Sequence, residues 1–270
     1  MAKGKGNRIQ LSNGRRMVNE VIRASGKMQM ATYARDFDLS ELARLRKQSR
    51  PRISWNVLYL KAYSIVSTRT PELRQCYVGF PWPHIYQHED TTGSLTLERE
   101  FDGETRLLFA KFSRPERKTL VDLEKAYANF RKAPVMEVRQ FQKQVRFARL
   151  PFLLRRFTFW MLFNLWPRKR VGTLGTFGMT ISTYNNTHVT SNVLGPNTTM
   201  LGIDILPKKG IAKFTLTFDH QVLDGVPVIK IIEELYRTLN NEIREELEIC
   251  LLYTSPSPRD RTRSRMPSSA

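Results

Sequence analysis

Phe218-Asp219-His220-Gln221-Val222-Leu223-Asp224-Gly225 sets a histidine, a carboxylate four residues later and then a glycine between two periodic segments. Lys213 to Phe218 reads as a strand and Val226 to Leu239 as a helix, so the octet is a strand-to-helix junction. An imidazole held on such a junction is suited to general-base chemistry, because its unperturbed pKa of about 6.5 lets it take a proton near neutrality. The chain has four histidines, and a stray H-x-x-x-D-G arises in about 1% of chains of this composition. The surroundings of the motif therefore decide what it means.

The end of the chain reads differently from the rest. Cys250-Leu251-Leu252-Tyr253-Thr254-Ser255-Pro256-Ser257-Pro258-Arg259-Asp260 back-translates to the end sequence of a transposase-made DNA sequencing library. Arg261 to Arg263 leave room for an index, and Ser264 to Ala270 then reads as the flow-cell tail of the same adapter. A disordered Pro/Ser tail fits the composition equally well but does not predict a run of consecutive codons. Residues 250–270 are expected to be translated adapter rather than native protein. Without Arg259, Arg261, Arg263, Arg265 and Asp260, Lys+Arg falls from 44 to 40, Asp+Glu from 25 to 24, and net charge from +19 to +16.

What remains is still strongly basic and long enough to bury one large core. Residues 1–16 are expected to be a basic arm, and residues 17–249 one folded domain. Cys76 is then the sole cysteine, and Met1-Ala2-Lys3-Gly4-Lys5-Gly6 opens without an apolar segment, so the expected compartment is the cytoplasm. The most apolar run, Leu150 to Trp166, is short for a membrane span and contains Pro151, Arg155, Arg156 and Asn164. It reads as packing in a core or between subunits. Peripheral membrane contact through Leu150 to Arg170, arginines toward the headgroups, is the alternative.

Local signals order the rest. Asp38-Leu39-Ser40-Glu41 has capping-box spacing and predicts a helix to about Gln48. Ser54 to Thr68 carries Trp55, Leu58, Ala62, Ile65 and Val66 on one helical face, and Pro71 marks its end. Thr96 to Phe101 and Thr105 to Phe112 flank Asp102-Gly103, a two-residue hairpin turn. Thr119 to Lys132 spaces Leu120, Leu123, Tyr127 and Phe130 as a helix, and Met136 to Leu165 predicts a longer basic one broken near Pro151. Gly178 to Thr183, Met200 to Leu206 and Ile211 to Phe218 read as strands, antiparallel in character. The mixture predicts an α+β fold in layers rather than a doubly wound sheet.

Phe218-Asp219-His220-x-x-x-Asp224-Gly225 resembles the D-H-R-x-x-D-G signature of the catalytic domain of 2-oxoacid dehydrogenase acyltransferases, related to chloramphenicol acetyltransferase. Arg15-Arg16-Met17-Val18 resembles the family's opening helix, and Arg52-Ile53-Ser54-Trp55-Asn56 the start of the next. Gly175-Thr176-Phe177-Gly178-Met179-Thr180-Ile181-Ser182 is similar to its G-x-F-x-x-S strand, and Leu201-Gly202-Ile203 to the strand before the histidine. The resemblance spans most of Arg15 to Asn240. It implies a two-layer fold, a mixed sheet with helices packed on it, and makes residues 17–249 an acyltransferase catalytic domain; the chain has no room for a lipoyl domain, so a free-standing member is expected.

The resemblance also implies roles. His220 is the general base of an acyl transfer from a thioester (coenzyme A, lipoamide or a carrier) to a thiol or hydroxyl acceptor. Ser182 supplies the hydroxyl that stabilises the oxyanion, with Thr183 as the fallback if the register slips. Asp224 either partners His220 or, as the family pattern suggests, is structural and paired to Arg15 or Arg16. Gly225 is expected where the backbone turns tightly. The family architecture implies a homotrimer with His220 of one subunit facing Ser182 of the next. Gln221 stands where the family has arginine.

Other histidines have plainer readings. His84 and His88 stand four apart in a Pro-rich segment with no Cys or Glu to complete a metal set, so no metal is expected. His188 lies in an Asn/Thr-rich loop. The competing class is an inactive relative that binds nucleic acid or an anionic membrane through its charge. The charges are scattered with no RNA-binding or helix-turn-helix signature, so no specific nucleic acid is expected, and coenzyme A is itself polyanionic.

Overall fold

The computed structural model describes residues 10–26, 28–182, 196–206 and 210–254. The first helix, α1 (Asn13–Ser25), starts on Ser12, whose hydroxyl accepts the Arg15 N–H at 3.2 Å. That cap satisfies one of the orphan donors of the first turn. Asn13 to Arg16 are thereby helical rather than part of an arm, and residues 1–9 lie outside the described residues.

After β1 (Met30–Asp38), Asp38 Oδ1 accepts the Ser40 N–H at 2.9 Å and its hydroxyl at 2.7 Å, opening α2 (Ser40–Gln48) as the Asp38-to-Glu41 spacing predicts. Glu41 does not complete a capping box; it pairs with Arg44 at 2.9 Å, while Asp38 is held in the β1 ladder opposite Ile211. Helix α3 (Trp55–Arg69) is buried on nearly all sides. Strands β2 (Gln75–Val78) and β3 (His84–Gln87) form a small hairpin. A larger one, β4 (Thr92–Phe101) and β5 (Glu104–Ser113), turns on Asp102 and Gly103 with φ of 56° and 70°. Both positive angles are what a type I′ turn demands, and Asp-Gly supplies them.

Four helices follow: α4 (Leu120–Lys132), α5 (Arg139–Ala148), α6 (Phe152–Asn164) and α7 (Pro167–Leu174). Pro151 separates α5 from α6, where a ring that blocks the helical hydrogen bond forces a break. Three strands, β6 (Phe177–Ser182), β7 (Thr199–Leu206) and β8 (Ile211–Asp219), precede α8 (Gly225–Thr238). A π-helical turn, Leu239–Ile243, leads into α9 (Arg244–Thr254). Residues 250–254 of the expected adapter continue α9, and residues 255–270 lie outside the described residues.

The six-stranded sheet runs β1-β8-β7-β6-β4-β5. β8 is antiparallel to β1 and β7, but β6 is parallel to both β4 and β7, so the antiparallel character expected of the late strands holds only at β8. Alternation along a strand specifies the face it buries, not the direction of its neighbour. Phe177 and Met179 of β6, Leu201 and Ile203 of β7, and Phe214, Leu216 and Phe218 of β8 belong to the core that also holds α3 and α8. Tyr59 and Tyr63 of α3 meet Phe214 and Phe177 edge-on at 5.2 and 4.7 Å. Each such ring contributes about 1.5–3 kcal/mol by leaving water. The resulting α+β architecture, helices layered on a mixed sheet, is the fold class expected from the sequence.

Candidate active site

His220 stands where β8 ends and the chain turns into α8. Asp219 fixes that turn with every polar group it has: its N–H donates to Thr198 O at 2.9 Å, its carbonyl accepts from Val222 and Leu223 at 3.0 and 3.1 Å, and its carboxylate accepts from Gln221 N–H at 3.1 Å. The His220 N–H donates to Gln29 O at 2.7 Å, tying the histidine to the residue before β1. The loop is thus anchored by backbone and by Asp219, which answers for the missing arginine at Gln221.

The imidazole is half exposed, with Nδ1 3.2 Å from Asp224 Oδ1. A proton held on Nδ1 against that carboxylate leaves Nε2 with the free lone pair, the arrangement a general base requires. Asp224 is placed as the N-cap of α8 but makes no capping bond; its carboxylate turns to His220 instead. Arg15 and Arg16 form no ion pair with it among the described residues; they sit at the start of α1, where Gly14 packs against Arg106 of β5. Gly225 also differs from expectation. Its φ is not positive, and a Cβ there would meet nothing within 4 Å, so no tight turn requires glycine.

Ser182, whose hydroxyl the resemblance sets against His220 of a neighbouring subunit, is far from His220 within one chain. Ser182 ends β6 opposite Asp204 of β7, and Asp204 is opposite Lys213 at the start of β8. His220 follows Asp219, which is bonded to Thr198 just before β7 begins. At about 3.3 Å per residue along β7, the two lie roughly 20 Å apart within one chain. The structure brings Asp224 to His220 and leaves Ser182 at the opposite end of the sheet. Thr183 and His188 lie outside the described residues.

Thr180 is a hydroxyl that the sequence reading passed over. Counted from Gly175 and Phe177, the last position of G-x-F-x-x-S is Thr180 rather than Ser182. Because side chains alternate along a strand, Thr180 points to the face opposite Phe177 and Met179. Thr180 lies opposite Gly202 and donates to the Thr96 hydroxyl at 3.3 Å.

A cleft of about 480 Å3 reaches Asp219 and Gln221, the residues on either side of His220, between Glu20 of α1 and Phe159, Trp160 and Phe163 of α6. Arg170 of α7 lies in its wall, 5% exposed, donating to Pro196 O at 2.9 Å with its guanidinium 4.2 Å over Phe163. Burial holds the Asp219 carboxyl above the usual carboxylate range, against the opposing pull of the Gln221 and Gln29 N–H groups and of Arg170. His84 and His88 belong to a strand and its end, not to one helical face. His84 is exposed, whereas His88 is buried 3.7 Å from Cys76 Sγ. No group of three or more potential metal ligands occurs among the described residues.

No family model and no curated protein matches the chain. Solved structures do. The dihydrolipoamide acetyltransferase of Azotobacter vinelandii, studied for the roles of a serine, a histidine and an asparagine in its catalytic mechanism, is 15% identical with a TM-score of 0.64, over 90% of this chain and 95% of that one. A probable dihydrolipoamide acetyltransferase of Listeria monocytogenes is 13% identical, TM-score 0.61, over 87% and 94%. A truncated catalytic core of the 2-oxoacid dehydrogenase multienzyme complex of Thermoplasma acidophilum is 13% identical, TM-score 0.62, over 87% and 99%. The chain therefore has the fold of the 2-oxoacid dehydrogenase acyltransferase catalytic core.

Proposed function

We propose that the protein is an acyltransferase that moves an acyl group from a thioester to a thiol or hydroxyl acceptor, with His220 as general base. The observation that carries this reading is the His220 Nδ1–Asp224 contact of 3.2 Å on a turn pinned from both neighbouring strands. In the Azotobacter enzyme the asparagine studied lies four positions after the histidine, the spacing of Asp224 from His220. Nε2 takes the acceptor proton as the acceptor attacks the thioester carbonyl. The oxyanion of the tetrahedral intermediate accepts a hydrogen bond from a β6 hydroxyl, Thr180 or Ser182. Collapse breaks the C–S bond, and the leaving thiolate receives the proton from the imidazolium.

The roughly 20 Å between His220 and Ser182 at the end of β6 favours sites formed between copies of the chain, and a homotrimer is the assembly proposed. Coenzyme A and lipoamide thioesters are the donors to test. The protein is expected to release free thiol from one of them in an acceptor-dependent way, and His220→Ala to lose at least about 100-fold. Equal turnover by the variant would overturn the mechanism. No turnover on any thioester, with salt-sensitive retention on DNA, would instead favour a binding-only relative, the reading suggested by a net charge of +19.

A further inference from the structure

Helix α6 carries large apolar side chains on every side, interrupted by Arg155, Arg156, Thr158 and Asn164, a pattern that ordinarily marks a helix buried on most sides, yet only one side is covered. Phe159 and Leu162 face the protein together with Arg155, whose guanidinium is 4% exposed and bonded to Leu150 O at 3.0 Å. Leu153, Phe157 and Trp160, spaced i, i+4, i+7, point the other way and are 76%, 55% and 40% exposed. The β2–β3 connection extends this surface: Trp82 is 78% exposed, and the Phe80 ring lies 5.6 Å from Trp160.

The surface is ringed by cations. From Val138 to Ile203 the chain contains no Asp or Glu, and Val138 to Arg170 alone carries nine Lys or Arg. Arg23 and Arg156 lie over the Phe152 ring at 5.7 and 5.9 Å, and Lys169 over Trp166 at 4.1 Å. The acid beneath α6, Glu20, is buried and already held by Arg23 at 2.9 Å and Arg155 at 3.8 Å. No helix of the described residues is long and apolar enough to cross a membrane.

We propose that α6 and the Phe80–Trp82 connection dock the protein on an anionic lipid surface, with Leu153, Phe157 and Trp82 in the interface and Arg156, Arg168 and Lys169 at the headgroups. An apolar face with tryptophans at its edge and cations on its flanks matches the two layers of such a surface. A second copy seated face to face would bring these cations against their own equivalents with no acid on the segment to pair them. Because the cleft beside His220 is walled by Phe159, Trp160 and Phe163 of the same helix, docking sets the candidate site at the lipid surface.

The test is flotation of the full chain with vesicles of phosphatidylcholine alone and of phosphatidylcholine with phosphatidylglycerol. Binding is expected to the anionic vesicles, weakened by salt. Leu153→Glu/Phe157→Glu, at exposed positions that tolerate charge, is expected to lose at least about tenfold in partitioning, as is Arg168→Glu/Lys169→Glu. His220→Ala is expected to bind like wild type, so a failure of lipid docking and a failure of the proposed chemistry are read separately. The proposal is overturned if wild type floats with neither vesicle or if the Leu153/Phe157 variant partitions unchanged. It is also overturned if that variant changes oligomeric state by light scattering, which would make the face a contact between copies.

Discussion

Ser182 and His220 stand at opposite ends of one sheet. The first is opposite Asp204, near the end of β7; the second follows Asp219, whose N–H is bonded to Thr198 ahead of its start. A base and a hydroxyl so placed cannot act on one carbonyl within a single chain. If sites form between copies, two crippled chains complement each other. Co-expressed His220→Ala and Thr180→Ala/Ser182→Ala chains, each inactive alone, are expected to recover about a quarter of wild-type activity, the fraction of randomly assembled interfaces that receive both intact halves. No recovery in verified mixed oligomers would place the site within one chain.

Thr180 and Ser182 are the two candidate hydroxyls of β6, and single alanine variants separate them. Thr180 sits at the position the Gly175–Phe177 spacing indicates and bonds Thr96 at 3.3 Å. Thr180→Ala is expected to lower kcat by roughly 10²–10³, the scale of one lost oxyanion donor, with KM little changed. Ser182→Ala is expected to have less effect. The reverse order would restore Ser182 to the role expected from sequence.

The parts of the fold that sequence made legible are those with local causes. Asp102-Gly103 dictates its own turn, the apolar spacing of α4 and the breaks at Pro71 and Pro151 need no tertiary information, and the His220 octet is a strand-to-helix junction as read. Strand β1 was not legible. Arg35, Asp36 and Asp38 interrupt it, which a sheet edge tolerates because one side faces water. The direction of β6 was hidden too, since an alternating pattern is the same for parallel and antiparallel neighbours. At the site, Asp224 lies 3.2 Å from the His220 imidazole, and whether it faces that ring or an arginine depends on packing that no local pattern encodes. Arg155 inverted the usual rule, buried against Glu20 while Leu153 two residues away is exposed, and no periodicity signals that.

Gly225 provides a check on the motif itself. A Cβ at this position meets nothing within 4 Å and its φ is not positive. Gly225→Ala, at the first residue of α8, is expected to stabilise the protein by about 0.4–1 kcal/mol through the unfolded state, without loss of transfer activity. Chemical denaturation of the pair decides it; a destabilised variant would mean the turn needs glycine after all.

His88 gives the protein an acid-sensitive point apart from the candidate site. Burial, with the Arg170 guanidinium adding to it, pushes its pKa down from 6.5 to about 4. The folded-state value lies below the unfolded one, so the unfolded chain binds the extra proton first as pH falls. The stability that follows from keeping His88 neutral is complete above about pH 6.5 and is lost progressively down to about pH 4, with a ceiling of roughly 3 kcal/mol. Denaturation curves at pH 7 and pH 4.5 are expected to show a smaller acid loss for His88→Gln than for wild type. The exposed His84 is the control: His84→Gln is expected to leave the pH dependence unchanged. An identical slope for wild type and His88→Gln would assign the acid sensitivity to other groups.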